Sequence, residues 1–291
     1  MNGILNVFKP TGMTSFDVVR ILRKISNVKK VGHAGTLDPE ASGVLPVCIG
    51  KATKAIDYIM ADFKIYEAEL KLGVTTDTYD REGKIIKQSE VNCSNAEIKS
   101  VINSFVGEIK QVPPMYSALK VNGKKLYELA RAGIEIEREP RSIVIYDIDI
   151  IDINSPYVKV RVKCSKGTYI RSLCYDIGEV LKCGGMMWNL QRTATGQFDI
   201  ENAINVNELN EDNINKYIIP IERIFQNNTK ITIEDRFVKF LLNGVVVKDK
   251  ALMCKFKDDN MYSIYNNDND FIGIADKSND GVRLIKSFIG A

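Results

Sequence analysis

The chain has 291 residues, 45% of them hydrophobic, and its 40 Lys and Arg against 37 Asp and Glu leave a net charge of only +3, which suits a globular protein of one large and one small domain and is too small by itself to prove a nucleic-acid partner. No apolar run approaches the roughly 20 residues that span a bilayer, and Met1-Asn2-Gly3-Ile4-Leu5-Asn6 has neither the basic flank nor the apolar segment of a secretory signal, so a cytoplasmic protein with no membrane partner is expected. The six cysteines include no C-x-x-C pair and read as reduced thiols rather than a disulfide framework.

Thr14 and Asp17 fit a capping box, and Phe16, Val19, Leu22 and Ile25 recur at helical spacing, predicting a helix over 15–26. It leads into residues 32–46, where Gly32, Gly35, Pro39 and Gly43 exclude ordinary helix or strand and present Asp38 and the only histidine, His33. By itself an Asp-Pro pair is an ordinary turn or helix start. A helix is predicted over about 53–60. Tyr66, Ala68, Leu70 and Leu72 then alternate with Glu67, Glu69 and Lys71, predicting a strand in which Tyr66 is, on pattern alone, a core aromatic.

Ser94 and Glu97 fit a second capping box before Ile98, Val101, Ile102 and Phe105, and Pro113-Pro114 stops any regular element. A short helix over 124–131 closed by Gly133 precedes strands over 142–153 and 157–164. The second strand runs through Ser165-Lys166-Gly167-Thr168 into a helix over about 169–182, which puts Tyr169 and Arg171 at a strand-to-helix junction, a common place for functional groups. Helices mixed with long strands predict an α/β or α+β body, and no G-x-G-x-x-G or Walker motif suggests a nucleotide fold. From Lys230 onward, after a boundary at 226–229, short apolar segments alternate with turns at 243–244, 258–260, 266–270 and 279–281, predicting a small β-rich appendage.

Charge is uneven. Residues 1–55 hold eight Lys and Arg against three acids, while 109–127 and 161–171 each hold four basic residues and no acid, a distribution that can cluster phosphate contacts around one cleft. No His/Cys spacing fits a metal, and no metal or other cofactor is expected.

Gly32-His33-Ala34-Gly35-Thr36-Leu37-Asp38-Pro39-Glu40-Ala41-Ser42-Gly43-Val44-Leu45-Pro46 resembles the catalytic-loop motif of the TruB family, the tRNA pseudouridine-55 synthases. Lys9-Pro10-Thr11-Gly12-Met13-Thr14-Ser15, Tyr66 with Thr76-Asp77-Thr78, Pro114 to Lys120 with Gly123 to Tyr127, and Cys164 to Arg171 agree with it in order. The resemblance implies a pseudouridine synthase catalytic domain over 1–229, with a central mixed, largely antiparallel sheet and flanking helices, and a PUA-like RNA-binding β domain over 230–291. Two small departures stand out: Ala34 where Thr is common, and Tyr79 where a small residue is usual.

The implied reaction breaks the N1–C1′ bond of a uridine in the tRNA T-arm loop and forms a C5–C1′ bond, with base flipping and without a cofactor. Asp38 acts as nucleophile at a sugar or base carbon, or as base toward the C2′ proton. Arg171 supplies the opposite charge and a planar fork that orients it. Tyr66 stacks on the displaced base, and its hydroxyl is a second candidate for removing the C5 proton, although an unactivated phenol is a poor base at neutral pH. Tyr169 packs the pocket wall or orients Tyr66 and Arg171, and His33 fills the space the base vacates or stacks with a neighbouring base. Lys9, Lys29, Lys30, Lys120, Lys124, Lys125 and Lys166 are candidate phosphate contacts. A two-carboxylate mechanism drawing on Asp77 or Asp80 stays open.

A passive RNA-binding protein needs no such combination of Asp38, Tyr66 and Arg171, and a metal-dependent hydrolase lacks its ligands. The guide-RNA-directed relatives of the family commonly carry terminal extensions; this chain begins within ten residues of its first motif and ends without a basic tail. A monomer acting without guide RNA is therefore expected.

Overall fold

The alternating segments in the middle of the chain form the centre of a ten-stranded sheet. In the computed structural model, which describes residues 1–121, 123–257 and 260–289, its main strands are β1 (Gly3–Lys9), β2 (Ser42–Ile49), β3 (Lys64–Leu72), β4 (Gly107–Gln111), β5 (Arg141–Asn154), β6 (Tyr157–Cys164) and β7 (Gly185–Thr195). Across the sheet the order is Ile204–Asn205, β1, β2, β7, β3, β6, β5, β4. Only the Ile204–Asn205 pairing with β1 and the β7 pairing with β2 are parallel, so the architecture is α+β with a mixed, largely antiparallel sheet.

On β3, Tyr66, Ala68, Leu70 and Leu72 are buried and the residues between them half-buried. On β6, Val158, Val160, Val162 and Cys164 are buried in the same rhythm. These faces share one core with Val18, Val19 and Leu22 of the Ser15–Ser26 helix, Ile98 and Ile102 of the Asn95–Ser104 helix, and Leu173 and Ile177 of the Ile170–Val180 helix. Each fully buried Val, Leu or Ile stabilises the fold by roughly 1.5–3 kcal/mol. Both predicted capping boxes form, at Thr14 with Asp17 and at Ser94 with Glu97.

Several elements differ from the pattern. The helix predicted over 53–60 is a 3-10 turn, Gly50–Ala55, continuing into the α-helix Ile56–Ala61. The helix predicted from 124 starts at Leu126, because Lys124–Lys125 pair with Lys120–Val121 as a small hairpin. β7 carries no prediction: bulges between Met187 and Asn189 and between Arg192 and Ala194 break its two-residue rhythm. β1 and β2 are also unassigned, since strands buried along both faces read as apolar runs without alternation.

The C-terminal segment forms a separate sheet of Thr229–Thr232, Tyr262–Tyr265, Phe271–Ser278 and Gly281–Ser287, in that order. It also contains a helix, Asp235–Leu242, which buries Phe237, Val238 and Leu241. The predicted turn at 243–244 is this helix's end, with Gly244 at φ 77°, and positions 258 and 259 of another predicted turn lie outside the described residues. Beyond its own core, the segment shares a second cluster with the main body, in which Phe271 and Phe288 join Ile4, Val44, Ile59, Phe198 and Phe225. Lys54 Nζ also donates to the Ser287 carbonyl at 2.8 Å. The segment is thus cemented to the body rather than hung from it.

Candidate active site

The glycine-rich loop is held from two sides. Ser15 Oγ donates to Leu37 O at 3.1 Å and accepts from Leu37 N at 2.9 Å, and Gly12 N donates to Pro39 O at 3.0 Å. From β7, Arg192 donates through Nε to Val44 O at 2.8 Å, through Nη2 to Gly35 O at 3.0 Å and through Nη1 to Thr36 O at 3.5 Å. Gly43 sits opposite Arg192 with φ 115°, and a Cβ there would come within 2.1 Å of Arg192 O, so only glycine fits. Arg192 is buried, and nothing in its local sequence pattern marks it as functional.

Lys9 corrects an expectation. Rather than meeting phosphate, it is fully buried, and Nζ donates to Pro10 O at 2.8 Å, Met13 O at 2.7 Å and Pro39 O at 3.1 Å. Burial lowers its pKa to about 8, against the raising effect of Glu40 and Asp38. Because all three ammonium hydrogens are spent on backbone carbonyls, two in the turn after β1 and one in the Asp38 loop, Lys9→Met is expected to destabilise the protein by about 2–3 kcal/mol in denaturant titration while leaving the salt dependence of RNA binding unchanged. A salt slope shallower by one, with parental stability, would restore Lys9 as a phosphate contact.

The loop presents Asp38 with its side chain 39% exposed, next to Arg171, whose side chain is 7% exposed. Arg171 Nε lies 3.1 Å from Asp38 Oδ2, and Nη2 donates to Asp38 Oδ1 at 3.5 Å and to Tyr116 O at 2.9 Å. Nη1 donates to Asp80 Oδ2 at 3.2 Å and to Thr78 O at 3.5 Å. The guanidinium therefore joins two carboxylates. Asp80 also accepts from Thr78 Oγ1 at 2.6 Å and from Glu82 N at 3.1 Å. Asp77, weighed with Asp80 as a second acid, instead accepts from Lys84 N at 2.8 Å and closes the turn. Tyr79 adopts φ 64°, uncommon for a bulky side chain, and stacks on Tyr175 at 4.1 Å between ring centroids.

Asp38, Tyr66, Asp80 and Arg171 line a cavity of about 660 Å³, together with Ile170, Met187 and Leu190. Tyr66 reaches it from β3, where its cross-strand neighbours are Arg192 and Val162. Burial pushes its phenol pKa up, partly offset by the charge and hydrogen bond of Arg192, so the hydroxyl is protonated at neutral pH.

Tyr169 does not border this cavity; its neighbours Thr168 and Ile170 do. Its backbone is clamped by Gln111, which accepts from Tyr169 N at 2.8 Å and donates to Tyr169 O at 3.1 Å, fixing the start of the helix that carries Arg171. His33 is half-buried on a short strand, Val31–His33, paired with β2 behind the loop. Burial first and the Arg192 charge second lower its pKa, leaving the ring neutral at pH 7. Lys29, Lys30, Lys120, Lys124 and Lys166 are exposed. Lys125 is half-buried and donates to Tyr127 Oη at 3.2 Å beside the cavity. Among the described residues no His, Cys, Asp or Glu cluster could hold a metal ion.

Residues 23–170 match the TruB family pseudouridylate synthase (N terminal domain), and residues 171–226 match the tRNA pseudouridylate synthase B C-terminal domain. The chain belongs to the TruB family. Its relatives include the tRNA pseudouridine synthase B of Clostridium novyi (strain NT), 58% identical over 98% of this chain and 99% of that protein. The protein of the same name in Clostridium acetobutylicum is 57% identical over 98% of this chain and 99% of its own length. Among solved structures, a chain of an H/ACA RNP bound to a substrate RNA containing 2′-deoxyuridine is similar at TM-score 0.71 and 26% identity, covering 99% of this chain and 85% of that one. A chain of a Cbf5-Nop10-Gar1 complex is similar at TM-score 0.72 and 28% identity, with the same coverage. As a TruB-family member the chain is a pseudouridine synthase, an isomerase, and the cavity around Asp38 is its candidate active site.

Proposed function

We propose that this TruB-family enzyme converts the uridine at position 55 in the T-arm loop of tRNA to pseudouridine, acting as a cytoplasmic monomer without a guide RNA. Full-length relatives named tRNA pseudouridine synthase B at 57–58% identity support tRNA as substrate, whereas the H/ACA-type chains stand at 26–28%. The observation that carries the chemistry is the carboxylate of Asp38, fixed by the Arg171 guanidinium at the edge of a cavity that Tyr66 also lines.

Asp80 is engaged by Arg171, Thr78 and the Glu82 amide. Asp38, more exposed and held only along one side, is the carboxylate placed to react, as nucleophile or as base toward C2′. Reaching it requires the uridine to leave its stack, at a cost of a few kcal/mol supplied by protein–RNA contacts elsewhere. Tyr66 offers a ring for the displaced base; its raised pKa rules against proton abstraction by the phenolate at neutral pH. Neutral His33 occupies the space that the base vacates. The exposed lysines and the C-terminal PUA-like domain add phosphate contacts, which position RNA without reading sequence.

The test uses EDTA-treated protein and a prefolded, unmodified tRNA transcript, with no nucleotide, reductant or guide RNA added. Pseudouridine is expected at position 55 alone. Modification at another position, or only after a guide RNA or a divalent ion is supplied to the folded transcript, would overturn the assignment.

A further inference from the structure

The chain's one tryptophan is placed by the fold on the wall of the active-site cavity. In β7, Met187 pairs with Leu70 and Asn189 with Glu69, so Trp188 is the extra residue of a bulge and has no partner across the ladder. Bulges beside active sites re-aim side chains, and here the indole turns to line the cavity. Trp188 is half-buried and belongs to none of the three hydrophobic clusters, so core packing does not account for it.

Two cations attend the ring. Lys71 Nζ lies 4.7 Å from the indole centroid and 5.5 Å from that of Tyr157, whose ring meets Trp188 edge-on at 5.7 Å. Lys71 does not border the cavity, but Arg81 does, and its Cζ is 6.0 Å from the indole, at the outer limit of cation–π attraction. Arg81 is brought there because Met187 N donates to Tyr79 O at 2.9 Å and Asp80 bridges to Met187. It donates to Asn189 Oδ1 at 2.8 Å, lies 3.4 Å from the exposed Glu82 carboxylate, and pairs with Glu40 at 3.2 Å, two residues beyond Asp38. That pair is solvent-exposed, with side chains 31% and 40% accessible, and exposed pairs exchange partners at little cost.

We propose that Trp188 and Arg81 form a subsite for a nucleotide adjoining the flipped uridine: its base stacks on the cavity-facing side of the indole, and Arg81 releases Glu40 to take its phosphate. Lys71 backs the ring and adds positive potential. An aromatic platform accepts any base, because every base has a π-face, and the planar guanidinium suits phosphate better than a point charge. The subsite rests on the reading of RNA as substrate.

As the sole tryptophan, Trp188 reports on its own occupancy. Asp38→Asn protein, which binds without turning over, is titrated with tRNA transcript while indole emission and the anisotropy of end-labelled tRNA are followed together. Saturable quenching with the same midpoint as the anisotropy is expected, and an abasic residue at one of the two positions flanking the target uridine should abolish it. Trp188→Ala should weaken binding about tenfold and Trp188→Phe much less, and Arg81→Ala should lower the log–log salt slope by about one. Emission that is unchanged while anisotropy shows saturation overturns the subsite and leaves the enzymatic reading intact. Quenching that survives both abasic substitutions overturns the neighbouring-nucleotide assignment. Absence of any anisotropy change overturns the RNA-substrate reading itself, and the subsite with it.

Discussion

Asp38→Asn is expected to reduce pseudouridine formation by roughly 10⁴-fold or more while tRNA affinity stays within about tenfold. The amide keeps the volume of the side chain and can still accept hydrogen bonds from Arg171, so the loop geometry survives. It cannot act as nucleophile or as base. The loop's restraints come from Lys9, Ser15 and Arg192, none of which touches the carboxylate, so the variant should melt close to the parental temperature. Single-turnover conversion of labelled tRNA measures the effect, with mass spectrometry confirming that the amide has not deamidated. Substantial conversion by deamidation-free protein would remove Asp38 from the chemistry and turn attention to Asp80.

How far such a site can be read without coordinates depends on what each residue does. Asp38 is legible because Gly35 and Pro39 turn a presenting loop and the motif around it is specific, although the loop is shorter than its glycines suggest: Gly32 lies in the Val31–His33 strand and Gly43 in β2. Tyr66 is legible only through the motif: its alternation on β3 is that of any core residue, and it is indeed buried while also lining the cavity. Arg192 is hidden for the opposite reason. An arginine in a bulged, irregular strand reads as solvated, yet this one is buried with its guanidinium on the backbone carbonyls of Gly35, Thr36 and Val44. Lys9 misleads in the same way, since a lysine's charge suggests phosphate while a fixed loop can consume all its protons internally. The general difficulty is that long-range hydrogen bonds leave no periodic trace. Asp80 shows it again: its partner Arg171 is 91 residues away, and nothing in Thr76-Asp77-Thr78-Tyr79-Asp80 says which acid turns inward.

Arg171→Lys is expected to lower the single-turnover rate by about 10²–10³-fold despite conserving charge, with tRNA affinity again within about tenfold. Every Nη hydrogen of the guanidinium has an acceptor, Nη2 on Asp38 and Tyr116 O and Nη1 on Asp80 and Thr78 O, while Nε lies 3.1 Å from Asp38 Oδ2. Lysine offers three donors from one point and cannot span these acceptors, so Asp38 loses its fixed orientation and two carboxylates are left with a misplaced cation. A comparison with Asp80→Asn separates orientation from general loosening of the cavity. That substitution leaves the Arg171–Asp38 contact and both carbonyl contacts in place, so a loss nearer tenfold is expected, together with a native melt. Equal losses in the two variants would mean that Asp80 takes part directly. A near-parental rate for folded Arg171→Lys would mean that the fork does not govern Asp38, and that the loop restraints from Ser15 and Arg192 suffice to aim the carboxylate.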